Sequence, residues 1–137
     1  MKILCFHILM LSVLAAHITA GACSCIRPDA KGSLKYADVA FRGELIEHRG
    51  NRAVFRVDEW WKGNLGPLIE FEWRDGTHGD CDGFWPKLLQ VGSKLLVFGK
   101  RNHRGYYSAH ICLPQKFLND ADTDLKELGP GTLPSKD

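Results

Sequence analysis

The chain has no Asn-x-Ser/Thr sequon, hence no site for an N-linked glycan, and no internal repeat or low-complexity tract. It has no marked excess of either charge. Lys and Arg number 18 against 16 Asp and Glu, and Lys2 is the only charged residue among the first 22. A balance this close argues against nucleic acid or an anionic membrane as the main partner. A long apolar run is also missing. Residues 3–16 are mostly apolar, but His7 and Ser12 interrupt them, and the stretch is too short to span a bilayer. Nor does any nucleophile stand in a recognisable pattern with a base and an orienting acid; His48, His103 and His110 fall in no catalytic motif. The chain reads as a non-enzyme without a cofactor of its own.

What is present converges on Cys23-Ser24-Cys25. Met1-Lys2 is a short basic start, and Ala20-Gly21-Ala22 fits the small-x-small pattern that signal peptidase accepts. Residues 1–22 are therefore expected to be a signal peptide, and the product to be secreted and extracellular. Removing 22 of 137 residues leaves 115, enough for one domain with one modest core. That domain is expected over residues 23–129, with a flexible tail at 130–137. Four of the five cysteines survive cleavage: Cys23, Cys25, Cys81 and Cys112. In an exported chain this reads as two disulfides, with three possible pairings. Joining Cys23 to Cys25 would strain a small ring, so each is expected to bond a distant partner. In an extended segment side chains at i and i+2 share a face. Both thiols can point into a core while Ser24 and the free α-amine face outward, as a clamped and presented terminus.

Along the domain, residues 26–36 read as irregular, because Pro28, Gly32 and Ser33 break any period. From Ala37 the chain alternates: Val39, Phe41, Gly43 and Leu45 lie opposite Asp38, Arg42 and Glu44, a strand with one buried face. His48-Arg49-Gly50-Asn51 is a turn into a second strand over 53–61. A third follows over 68–73, with Ile69, Phe71 and Trp73 on one side and Leu68, Glu70 and Glu72 on the other. Residues 74–83 are loop, and a short helical turn follows Pro86. Strands are expected at 94–100 and 106–112. Beyond Pro114, Leu118, Ala121, Leu125 and Leu128 follow helical spacing until Gly129-Pro130-Gly131 stops it. Five short strands, two hairpins and a C-terminal helix predict a mostly β chain folded as a closed OB-type barrel. An Ig-like sandwich needs about seven strands.

At this point the residues resemble a known family. Cys23-Ser24-Cys25 followed by Pro28, the strand Ala37-Asp38-Val39-Ala40-Phe41-Arg42, Trp61-Lys62-Gly63, Cys81-Asp82-Gly83 and His110-Ile111-Cys112 resemble the N-terminal, netrin-like domain of the tissue inhibitors of metalloproteinases. The resemblance runs from Cys23 to about Pro114. It implies a five-stranded OB barrel and the disulfides Cys23–Cys81 and Cys25–Cys112. Loops of this size stabilise by roughly 4 kcal/mol each in the chain-entropy model. It further implies that the α-amine and carbonyl of Cys23 chelate the catalytic zinc of an extracellular metalloprotease, with Ser24 in the pocket beside the metal. The zinc belongs to the target. The larger inhibitors have a third disulfide here and a second cysteine-rich domain, so this chain is closer to minimal single-domain members, expected to be monomeric.

Plainer readings stand beside these. Cys23 and Cys25 serve equally as a structural staple in a netrin-like binding module that inhibits nothing. Ala20-Gly21-Ala22-Cys23 also offers the small residues of a bacterial lipobox, although Ala20 stands where Leu is preferred. Lipidation would consume the Cys23 thiol, leave Cys81 unpaired and anchor the chain to a membrane. His78-Gly79-Asp80-Cys81-Asp82 holds metal-ligand residue types but reads as a turn. Asp120-Ala121-Asp122-Thr123-Asp124 begins like a calcium loop, yet Leu125 stands where Gly is needed and Gly131 where the closing acid is needed; it reads as a helix N-terminus. Trp60, Trp61, Trp73 and Trp85 read as core and barrel-rim residues, with one of the adjacent pair partly exposed.

Overall fold

Alternating apolar residues in the first half of the domain, and an unbroken apolar run in the second, set the frame. The computed structural model describes residues 25–72, 83, 84, 88 and 90–135. β1 spans Val39–Arg49 and β2 Arg52–Lys62, joined as a hairpin. β3 is Leu68–Glu72, β4 Lys94–Arg101, β5 Tyr107–Ala109 and β6 Gln115–Phe117. Two short helices, α1 at Ala30–Tyr36 and α2 at Asp122–Leu128, flank them, with a 3-10 turn at Leu118–Asp120 ahead of α2.

β1 pairs with β2 along one edge and with β4 along the other. β2 pairs with β3, β3 runs parallel to β5, and β5 pairs with β4. The circuit β1-β2-β3-β5-β4-β1 closes a five-stranded mixed barrel of OB-like topology, and β6 lies outside it on β4. Closure requires the long β1 to curl. Register shifts against β2 just after Ala40, Arg42 and Leu45 supply the bend, since each bulge sharpens the local twist.

The barrel interior is aromatic. Phe41, Phe55, Phe71 and Phe84 are buried and meet in edge-on, tilted and stacked pairs with centroids 5.6–5.8 Å apart. Such pairs contribute about 0.5–1.5 kcal/mol each beyond the area they bury. Leu95 and Val97 of β4 complete this core, while Leu96 and Phe98 point outward into a second cluster with Ala30, Ala40, Leu113 and Ala121. β4 is therefore apolar on both faces, which is why its sequence does not alternate. Trp60 packs on the inner cluster and Trp61, one residue on, packs on the outer one.

Several expectations are corrected. Residues 30–36 form α1 rather than an irregular segment. The fifth strand ends at Ala109 instead of reaching Cys112, and the helix expected beyond Pro114 is first a sixth strand and a 3-10 turn; regular helix begins at Asp122. Leu118, Ala121, Leu125 and Leu128 do share one face, against the second cluster. Glu72 is buried, not outward, because Asn102 Nδ2 donates to it at 2.5 Å and the Arg104 guanidinium pairs with it. A carboxylate out of water needs such partners. The segment after α2 is not loose at its start: Thr132 pairs with Trp60, and the Gly131 N–H donates to Glu59 Oε1 at 2.6 Å. The loop expected over 74–82 and all but Leu88 of 85–89 lie outside the described residues.

Closure of the barrel leaves no room at Gly99, opposite β1 and β5. A Cβ there would lie 2.5 and 2.6 Å from Cε1 and Cζ of the fully buried Phe71. Gly99→Ala is expected to lose about 1–3 kcal/mol of stability by overpacking. Gly66→Ala, whose Cβ would meet nothing within 4 Å, serves as the control. Urea unfolding of both variants checks this, and equal midpoints would show that the ring is free to move.

Candidate functional site

After Ala109 the chain leaves the edge of β4 and rejoins it at Gln115. β5 pairs with Gly99, Lys100 and Arg101, and β6 with Leu95, Leu96 and Val97 along the same edge, so residues 110–114 loop out from one interrupted strand. The excursion is shaped locally. Leu113 N–H donates to the His110 carbonyl at 2.9 Å, and Cys112 N–H donates to Nδ1 of His110 at 3.2 Å. From inside, Gln115 Nε2 donates to the same carbonyl at 3.1 Å. Cys112 is thereby pushed out far enough to bond Cys25, with 5.1 Å between the two Cα atoms across 87 residues of sequence.

Beyond the bridge, the chain enters α1 through a cap. Asp29 Oδ1 accepts the Gly32 N–H at 2.6 Å, and a Cβ on Gly32 would lie 2.8 Å from that oxygen, so glycine keeps the cap open. Ser33 is fully buried and its hydroxyl donates back to the Asp29 carbonyl at 2.8 Å. Remote residues hold both ends of the helix. The Ala30 and Lys31 amides donate to the carboxylate of Glu127 on α2, each at 3.3 Å, and Lys62 Nζ donates to the Leu34 carbonyl at 2.5 Å. These contacts explain why a seven-residue segment with Gly and Ser inside it is helical: isolated helices of this length do not persist.

Between the bridge, the end of α1 and the excursion lies a groove of about 400 Å³. Ile26, Pro28 and Tyr36 line one part and Leu113 another; Lys100 of β4 also faces it. None of these was singled out from the sequence as functional. The available signal was two large apolar residues, Ile26 and Tyr36, at the ends of a stretch in which Leu34 is the only other large aliphatic or aromatic residue.

Of the residues expected to act, Cys25 and Cys112 are joined. Cys23, Ser24 and Cys81 lie outside the described residues, as does the His78 to Asp82 cluster. Asp122 and Asp124 sit in the first turn of α2, where Asp124 accepts from Lys116 Nζ at 2.6 Å. Among the described residues no group of three or more metal-ligating side chains gathers, and no helix is long and apolar enough to cross a membrane.

Glu127 is the tie between the two helices. Glu127→Ala should leave the barrel folded while the amides of Ala30 and Lys31 lose about fivefold in hydrogen-exchange protection, in line with one to two lost hydrogen bonds of modest net value. Exchange resolved by NMR checks this; unchanged protection at both amides would show that Glu127 does not hold the helix. No family model and no curated protein matches the chain, so its function rests on its own residues.

Proposed function

We propose that the chain is a secreted, single-domain protein similar to the netrin-like domain of the tissue inhibitors of metalloproteinases, and that it inhibits an extracellular zinc metalloprotease through its mature N-terminus. The observation that carries this reading is the Cys25–Cys112 bridge. Two residues after the expected terminus, the chain is bonded covalently to a barrel of OB-like topology. Cys23 is then tethered within a short reach of a rigid body, and a second bridge to Cys81 would fix it fully.

The chemistry follows from that tether. A terminal α-amine has a reference pKa of about 8, so its neutral, ligating form is accessible near neutral pH. Together with the Cys23 carbonyl oxygen it makes a five-membered chelate on the target's zinc and displaces the water that serves the protease as nucleophile. Ser24 enters the pocket beside the metal. Holding the two donors in place before binding reduces the ordering cost of association. A module that binds elsewhere, without chelation, shares the same bridge; it differs in needing no free amine.

Two outcomes test the reading. Non-reducing peptide mapping of the oxidised protein should recover a Cys23–Cys81 peptide beside the Cys25–Cys112 one, and a Cys23–Cys112 peptide would overturn the pairing. In a panel of zinc proteases, native protein should inhibit at least one. A form extended by one Ala before Cys23 should remain folded but lose inhibition by several orders of magnitude, because an amide nitrogen offers zinc no lone pair. Ser24→Gly should weaken inhibition less. Equal potency of extended and native forms would exclude chelation, and no inhibition by either would leave the binding module.

A further inference from the structure

The groove beside the Cys25–Cys112 bridge has the composition of a docking site. Ile26 is 95% exposed and Tyr36 62% exposed, and both line it. Folding gains nothing from leaving such surface in water, and neighbouring apolar side chains left exposed together mark an interaction surface. Pro28, Leu113 and the disulfide extend the apolar lining. At about 400 Å³ the groove is within the range of small binding clefts, enough to hold one or two partner side chains.

The charged group in its wall is a cation. Among the described residues lining the groove, which include His110, Lys100 is the only Lys, Arg, Asp or Glu, and it makes no ion pair with any of them. Arg27 and Lys35, each next in sequence to a lining residue, are exposed as well. Two exposed carboxylates stand outside the lining, each turned to a backbone N–H: Asp29 caps Gly32, and Asp38 accepts the Arg101 N–H at 2.8 Å. A ligand here meets an apolar wall beside an unneutralised ammonium.

We propose that the groove docks an extended segment of a partner protein in which an apolar side chain is flanked by aspartate or glutamate. The apolar side chain packs among Ile26, Tyr36 and Leu113, and a flanking carboxylate meets Lys100. A second copy of this chain is a poor occupant, because a two-fold contact sets one cationic groove against another. An anionic membrane is poor as well, since such recognition uses a cluster of about 4–8 basic residues and this chain carries a net charge of only +2. The inference stands whether or not Cys23 reaches a metal, because the groove is built from residues after the terminus.

The test uses the ¹⁵N-labelled, disulfide-bonded protein and the capped peptide acetyl-Gly-Asp-Leu-Asp-Gly-amide, whose caps leave the two side-chain carboxylates as its only charges. Saturable shifts are expected at the amides of Ile26, Tyr36, Lys100 and Leu113, with a dissociation constant below about 1 mM. Lys100→Glu and the peptide with Asn in place of both Asp should each weaken binding by about fivefold to tenfold. Tyr36→Ala should do so through lost packing. Both side chains are exposed, so an unchanged Phe71 amide signal will certify the fold of each variant. Equal binding of the neutral peptide, shifts that miss the groove, or no binding would overturn the proposal. So would a concentration-dependent rise in mass that Tyr36→Ala abolishes, which would assign the groove to self-association. Shifts at these amides with anionic phospholipid vesicles but not with the peptide would equally overturn it.

Discussion

β4 is hydrogen-bonded along both edges and apolar on both faces, and the rest of the molecule is arranged by that fact. Its pairing with β1 closes the barrel, and its other edge carries β5 and β6 in succession. Inward, Leu95 and Val97 join the phenylalanine core; outward, Leu96 and Phe98 demand a cover that no strand supplies. α1, the residues leading into α2 and the 110–114 excursion provide it. The two helices are thus consequences of an apolar outer face on the closing strand.

This arrangement places the two ends of the domain on one side of the barrel. α1 follows Cys25, and α2 precedes the segment that returns to β2 at Thr132. Glu127 links them, and Trp61 Nε1 donates to the Gly129 carbonyl at 2.8 Å beside that junction. The terminal segment is anchored twice over, by a covalent bond to the excursion and by polar contacts to the far end of the chain. A disulfide alone fixes one point; the helix that follows fixes direction.

The strands were legible because half-buried strands impose a period of two, which burial follows over 41–46 in β1, 55–58 in β2 and 68–71 in β3. α1 was not, since what stabilises it lies at Lys62 and Glu127, far away in sequence, while its own Gly32 and Ser33 read as breakers. β6 escaped notice because Gln115 and Lys116 are polar, and the helical spacing beginning at Leu118 was continued backwards over them. Glu72 follows the alternation of an outward residue, yet it is buried, with Asn102 and Arg104, thirty residues on, among the partners that make its burial tolerable. At the candidate site, the Cys25–Cys112 pairing followed from the family resemblance rather than from spacing. The groove was not legible at all, because it requires Tyr36, Lys100 and Leu113 to meet from three separate stretches.

The Glu127 contact to α1 also bears on the order in which the chain can mature. Asp29 and Lys62 are made early, but Glu127 is separated from Ala30 by 97 residues, so during vectorial synthesis the first amides of the helix lack that acceptor until nearly the whole polypeptide has emerged. The early strands can pair while the segment around Cys25 is still sampling conformations, and the thiol with which it must react also arrives late. Closure of the Cys25–Cys112 bridge therefore falls late in synthesis, and an oxidant acting before Cys112 is made meets Cys25 without its partner.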